Sequence, residues 1–173
     1  MTAQRQETKG WRRRIAFIAL LANLAAATGA GFGAFTDRAL AATTERVVTN
    51  RFTGLAIEGF DPVAYFTDAR PLVGRPSLEL SQAGAIWRFR NEGNRASFVA
   101  DPEIYSPQFG GYDPVDVARG VAFAGNPRFW LISGERLYLF GREASRDAFA
   151  ASPQSFVQEA AKHWPDLVET LAQ

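Results

Sequence analysis

The string Gly–aromatic–Asp–Pro–Val occurs twice, as Gly59-Phe60-Asp61-Pro62-Val63 and as Gly111-Tyr112-Asp113-Pro114-Val115. A second pair of strings follows in the same order. Residues 86–102, IWRFRNEGNRASFVADP, align with residues 137–153, LYLFGREASRDAFAASP, and six of the seventeen positions are identical. The first pair sits at an offset of 52 residues and the second at 51, so one single-residue gap reconciles them. Self-similarity at a fixed period is the signature of a repeated structural unit. The chain is read as an internal duplication, with units 59–110 and 111–161. A repeat of this length confines the fold to two similar supersecondary units packed together.

Each unit has a readable order of elements. Asp61-Pro62 and Asp113-Pro114 are helix starts. An aspartate at the cap accepts from free backbone N–H groups, and proline at the first helical position lacks the N–H that would be orphaned. Short helices follow, VAYF and VDVAR, the second stopped by Gly120. A hairpin comes next: SLEL, a turn containing Gly84 and AIWRFR in the first unit; FWLI, a turn at Ser133-Gly134-Glu135 and RLYLF in the second. Alternation puts Ile86, Arg88 and Arg90 on one face and Trp87 and Phe89 on the other, which predicts a sheet covered on one side. Asn94 and Ser145 are read as caps of the next helices. A final helix, SFVQEAAKHW, sets Phe156, Ala160 and His163 on one face, and Pro165 starts a last turn. The expected fold class is α+β: a small antiparallel sheet with short helices in two similar units of about fifty residues.

The N-terminus reads as an address. Arg12-Arg13-Arg14 precedes a charge-free apolar stretch from Ile15, and Ala39-Leu40-Ala41 supplies small residues for cleavage before Ala42. Residues 1–41 are expected to be a signal peptide. The alternative is an uncleaved anchor, because the charge-free run over residues 15–35 reaches membrane-spanning length. The paired arginines raise the twin-arginine route, but the residues after them fit an ordinary positive n-region better. The expected location is the periplasm or the periplasmic face of the inner membrane, with residues 42–173 as the domain.

Charge and cysteine content exclude several classes. Residues 1–41 hold Arg5, Lys9, Arg12, Arg13, Arg14 and Arg38 against Glu7 and Asp37, which leaves 13 basic and 16 acidic side chains in the rest. The domain is mildly acidic and has no basic stripe for nucleic acid. Cysteine is absent, so disulfides, thiolate metal sites and cysteine nucleophiles are all ruled out.

Taken together, GFDPVAYF, NRASFVADPEIYSPQFGGY and WLISGERLYLF resemble the YHS domain family in its exported bacterial form, over about residues 51–168. The family pattern has a cysteine after Gly-Gly-Tyr; here Asp113 stands there, followed by proline. The resemblance implies a fold related to small metal-binding treble-clef modules. It implies no soft-metal site in this chain and supplies no reaction, so any cofactor stays unknown.

Candidate chemistry then comes from the residues. Asp113 and Asp116, helped by Asp61, are weak candidates for a hard cation. His163 has no serine on a nucleophile turn to activate. A paired-carboxylate reaction of Asp61 and Asp113 depends on a separation that the sequence does not set. Aromatics around the PQFGGYDP segment are the stronger lead. The candidate ligand-binding set is Phe60, Asp61, Tyr65, Tyr105, Gly110, Gly111, Tyr112, Asp113 and Trp130, with Phe109 beside them. Gly110 and Gly111 would let a ligand or another strand approach the backbone closely. The competing reading makes these aromatics core and the aspartates caps. The leading expectation is a non-enzymatic module of the cell envelope that binds a small ligand, a metal or a partner protein. The alternatives are a hydrolase or redox enzyme using Asp113, Tyr112 and His163, and a purely structural envelope protein.

Overall fold

The computed structural model describes residues 46–172. The expected leader, its cleavage site and the possible tether at residues 15–35 lie outside the described residues. Six helices and four strands follow one another as α1 (Ala64–Thr67), β1 (Arg75–Gln82), β2 (Ala85–Phe89), α2 (Glu92–Ala100), α3 (Pro102–Tyr105), α4 (Pro114–Val117), β3 (Asn126–Ser133), β4 (Arg136–Phe140), α5 (Glu143–Ala151) and α6 (Pro153–Leu171). This is an α+β chain. Among the described residues, no helix is long and apolar enough to cross a membrane.

The antiparallel pairing falls in two separate hairpins, β1–β2 and β3–β4, one in each unit. Both close through two-residue turns, Ala83-Gly84 and Gly134-Glu135, in which every residue has positive φ. Such primed turns match the twist of the flanking strands. Both ladders also break at the same place. Arg75 pairs with Phe89 and then Glu79 with Arg88; Asn126 pairs with Phe140 and then Trp130 with Leu139.

The halves agree in detail at an offset of 51 or 52. Trp87 and Phe98 sit 4.9 Å apart at 39°, and Tyr138 and Phe149 sit 4.8 Å apart at 41°. Phe89 and Phe98 are 5.3 Å apart, and Phe140 and Phe149 5.2 Å. Each strand–helix pair therefore locks through the same three rings. Fully burying one such ring contributes roughly 1.5–3 kcal/mol.

The two hairpins nevertheless lie in different surroundings. The first core gathers Val63, Tyr65, Trp87, Phe89 and Phe98 of the first half with Leu137 and Leu139 of β4, and Trp130 and Ile132 pack against it. A second core holds Val115, Tyr138, Phe140 and Phe149, joined by Phe129 and Leu131. Hairpin β3–β4 is thus covered on both faces, and residues 137–140 are all buried. Hairpin β1–β2 meets the one-sided expectation, with Glu79, Ser81 and the Arg88–Glu79 ion pair turned outward.

Three helix expectations are corrected. Asn94 is not a cap: Asn91 caps α2 by accepting from Asn94 N, and the Asn94 side chain points into the interior. In α5 the cap position is Arg142, and Ser145 is buried within the helix. Pro165 does not begin a new turn but lies inside α6. Proline in a helix interior removes one backbone bond and costs about 3 kcal/mol. Packing offsets that cost, because Ala160, Trp164, Leu167 and Leu171 seat the helix in a third core with Tyr112 and Val117.

Candidate functional site

Asp61 and Asp113 have no exposed surface. Each uses Oδ1 to accept from the N–H two residues on, Val63 or Val115, at 2.9 Å. Each sends Oδ2 to the end of its own hairpin. Asp61 Oδ2 accepts from Arg90 N at 2.8 Å and from Asn94 Nδ2 at 2.7 Å. Asp113 Oδ2 accepts from Gly141 N at 2.9 Å. The backbone of both aspartates is tied as well: Asp61 N donates to Leu72 O and Asp113 N to Phe123 O, both at 2.8 Å. These carboxylates hold a helix start against a hairpin end, and every oxygen is engaged by protein.

The residues just before each Asp-Pro form a left-handed turn. Ile57, Glu58 and Gly59 have φ of 44°, 56° and 79°, and Phe109, Gly110 and Gly111 have 51°, 61° and 88°. Left-handed backbone costs a non-glycine residue about 1–2 kcal/mol. Val48 joins the two turns, donating to Gly110 O at 2.7 Å and accepting from Ile57 N at 3.3 Å. A Cβ on Gly110 would collide with the Arg46 carbonyl oxygen. Of the two uses expected for Gly110 and Gly111, Gly110 serves close approach of another chain segment.

The candidate aromatics divide into two groups. Phe109 and Tyr112 pack against Trp164 of α6, with ring centroids at 5.7 and 5.9 Å. Trp164 does not lie on the expected face of Phe156, Ala160 and His163. Continuing that 3.6-residue period from Ala160 reaches Trp164, Leu167 and Leu171 instead. His163 is half-exposed beside Gly120 and lies 3.6 Å from Glu159. It is not brought together with the buried Asp113 carboxylate. Phe60 is buried, with the Arg128 guanidinium 5.5 Å above its ring.

The other group lines a cleft. Tyr65 of α1 meets Trp130 of β3 edge-on at 5.3 Å, and its hydroxyl donates to Pro127 O at 2.9 Å. Burial pushes the Tyr65 hydroxyl pKa up from its ordinary value. Phe66 meets Tyr105 of α3 edge-on, also at 5.3 Å. Tyr65, Phe66, Ala69, Trp130, Leu131, Ile132 and Arg146 enclose an open cleft of about 630 Å³. Its walls are apolar except for the Arg146 guanidinium, which bonds Glu143 and Asp147 at 2.9 Å each. Of the candidate set, Tyr65 and Trp130 line this cleft. Gly110 lines a second one, of about 500 Å³, near Arg46 and Trp164.

Metal ligation finds little support in these contacts. Asp116 Oδ1 accepts from Arg142 Nη2 at 2.8 Å, with Arg119 3.5 Å away. Among the described residues, no group of three His, Cys, Asp or Glu side chains is placed to hold a metal ion. No family model, no curated protein and no solved structure matches the chain.

Proposed function

We propose that the chain is an exported, YHS-type binding or accessory module of the cell envelope, without a reaction of its own, and that it engages its ligand in the cleft between α1 and β3. One observation carries this reading: an aromatic and aliphatic cleft at the junction of the two halves, with one guanidinium on its wall. Binding sites are typically concave, mostly apolar and furnished with few polar groups. The paired rings, bulges and aspartate tethers support duplication of one ancestral unit, which leaves such a junction as the place where new chemistry is free to arise. No observation favours the enzyme reading. Its residues are a buried, fully engaged Asp113, a packed Tyr112 and a half-exposed His163.

Native mass spectrometry of the protein purified from its own envelope without chelators tests the reading. The expected result is a non-covalent adduct on the wild-type chain and none on Ala69→Arg, which fills the cleft's exposed rim without disturbing the core. A bare wild-type mass, or an adduct retained by Ala69→Arg, would refute it.

A further inference from the structure

The cleft has a feature that a small-molecule pocket does not need. It is lined by three consecutive residues of one strand, Trp130, Leu131 and Ile132. Neighbouring residues of a strand point to opposite faces. Trp130 and Ile132 pack towards the first core and Leu131 towards the second. A cavity touching all three therefore runs along the strand's edge rather than over one face.

The register shows what that edge presents. Ser133 and Arg136 flank a two-residue turn and form a hydrogen-bonded pair, so bonded and non-bonded pairs alternate outward from it. Leu131–Tyr138 is then bonded, and Ile132–Leu137 and Trp130–Leu139 are not. The N–H and C=O groups of Trp130 and Ile132 therefore point away from β4. Among the described residues, β4 is the only strand paired with β3. The matching strand β1 turns Glu79 and Ser81 to its own free edge, and a charged edge discourages pairing. On β3 the same two positions are tryptophan and isoleucine, and that edge is unguarded.

We propose that the cleft takes an extended peptide segment of a partner protein as a third strand on the β3 edge. This rests on the reading of the cleft as the binding site and names the class of ligand. The main chain of the guest bonds Trp130 and Ile132, and strand addition of this kind draws its affinity from main-chain hydrogen bonds. Guest side chains on one face meet Tyr65, Phe66 and Trp130, so apolar residues belong there. Those on the other face meet Arg146, the sole charged lining residue, whose Nε and Nη2 are held by Asp147 and Glu143. A side-chain oxygen of the guest complements the remaining Nη1.

The test uses the 15N-labelled full chain and an acetylated, amidated heptapeptide, Thr-Val-Gln-Phe-Gln-Val-Thr, at millimolar concentration. A second peptide with the same side chains carries an N-methyl group at every internal residue, which blocks both of its edges. The expected result is hydrogen exchange at the Trp130 and Ile132 amides slowed by about tenfold or more by the first peptide, and unchanged by the second. Signals of Tyr65 and Phe66 that shift without this slowing would overturn strand addition while keeping the cleft as a binding site. So would equal effects from both peptides. No response to either peptide overturns strand addition. In that case an adduct lost in Ala69→Arg still upholds the binding reading, and the absence of such an adduct overturns both.

Discussion

Replacing each buried aspartate by asparagine separates its structural role from any chemical one. A carboxamide keeps one oxygen, enough for the bond from Val63 N or Val115 N, and turns an NH2 donor towards the partners of the lost oxygen. At position 61 those partners are two donors, Arg90 N and Asn94 Nδ2. At position 113 the one such bond is from Gly141 N. A hydrogen bond to a charged group is worth about 1.5–3 kcal/mol. Neither site is exposed, so solvent screening does not reduce the figure. Asp61→Asn is expected to cost about 3–6 kcal/mol, and Asp113→Asn about 1.5–3 kcal/mol. A domain with a typical 5–15 kcal/mol of stability survives the second change and barely survives the first. Urea unfolding followed by tryptophan fluorescence reads both as lower midpoints at unchanged slope. Equal costs, or a larger cost at position 113, would refute the assignment of these bonds. A stable Asp113→Asn protein that has lost its adduct would place that carboxylate in binding instead.

Three further outcomes follow from the geometry. Gly110→Ala drives a methyl into the Arg46 carbonyl and should free the segment before Ile57, seen as faster proteolysis between residues 46 and 56. Glu58→Gly gives the first left-handed turn the glycine that the second has at Gly110. It should raise stability by up to about 1 kcal/mol, since the Arg128 contact it removes is 4.0 Å long and exposed; a loss of stability would show that Glu58 does more than fill the turn. At alkaline pH the fold should weaken. Burial, then Glu58, raises the Tyr65 pKa, so its contribution is complete below about pH 10 and declines above it by up to about 1.4 kcal/mol per pH unit. Tyr65→Phe should lessen that decline without abolishing it, because burial raises Tyr138 as well.

Local chemistry was legible in the sequence and distant partners were not. Asp-Pro announced both helix starts, and Gly84 and Gly134 marked both hairpin turns, because caps and turns depend on residues close in the chain. Asn94 reads as a cap because nothing nearby in the chain says that it reaches Asp61, 33 residues away. The left-handed turns are hard to read because Ile57, Glu58 and Phe109 are poor residues for that backbone; only Gly59, Gly110 and Gly111 hint at them. Pro165 marks a helix boundary by a rule that holds in isolation, and packing in the third core overrides it. The Tyr65–Trp130 contact was within reach of sequence reasoning. Its separation from Tyr112 was not, because that depends on Trp164 arriving from α6.

The sharing of β3 and β4 between two cores makes the halves interchangeable in one direction only. Trp130, Ile132, Leu137 and Leu139 complete the first half's interior, whereas Glu79, Ser81 and Arg88, which hold the matching places in the first hairpin, face water. Grafting the second hairpin into the first half would wet some apolar surface. The reverse graft would sink a glutamate and an arginine into the main interior. The later half is thus a wall of the earlier one: the second has a core of its own, while the first has no complete interior without it.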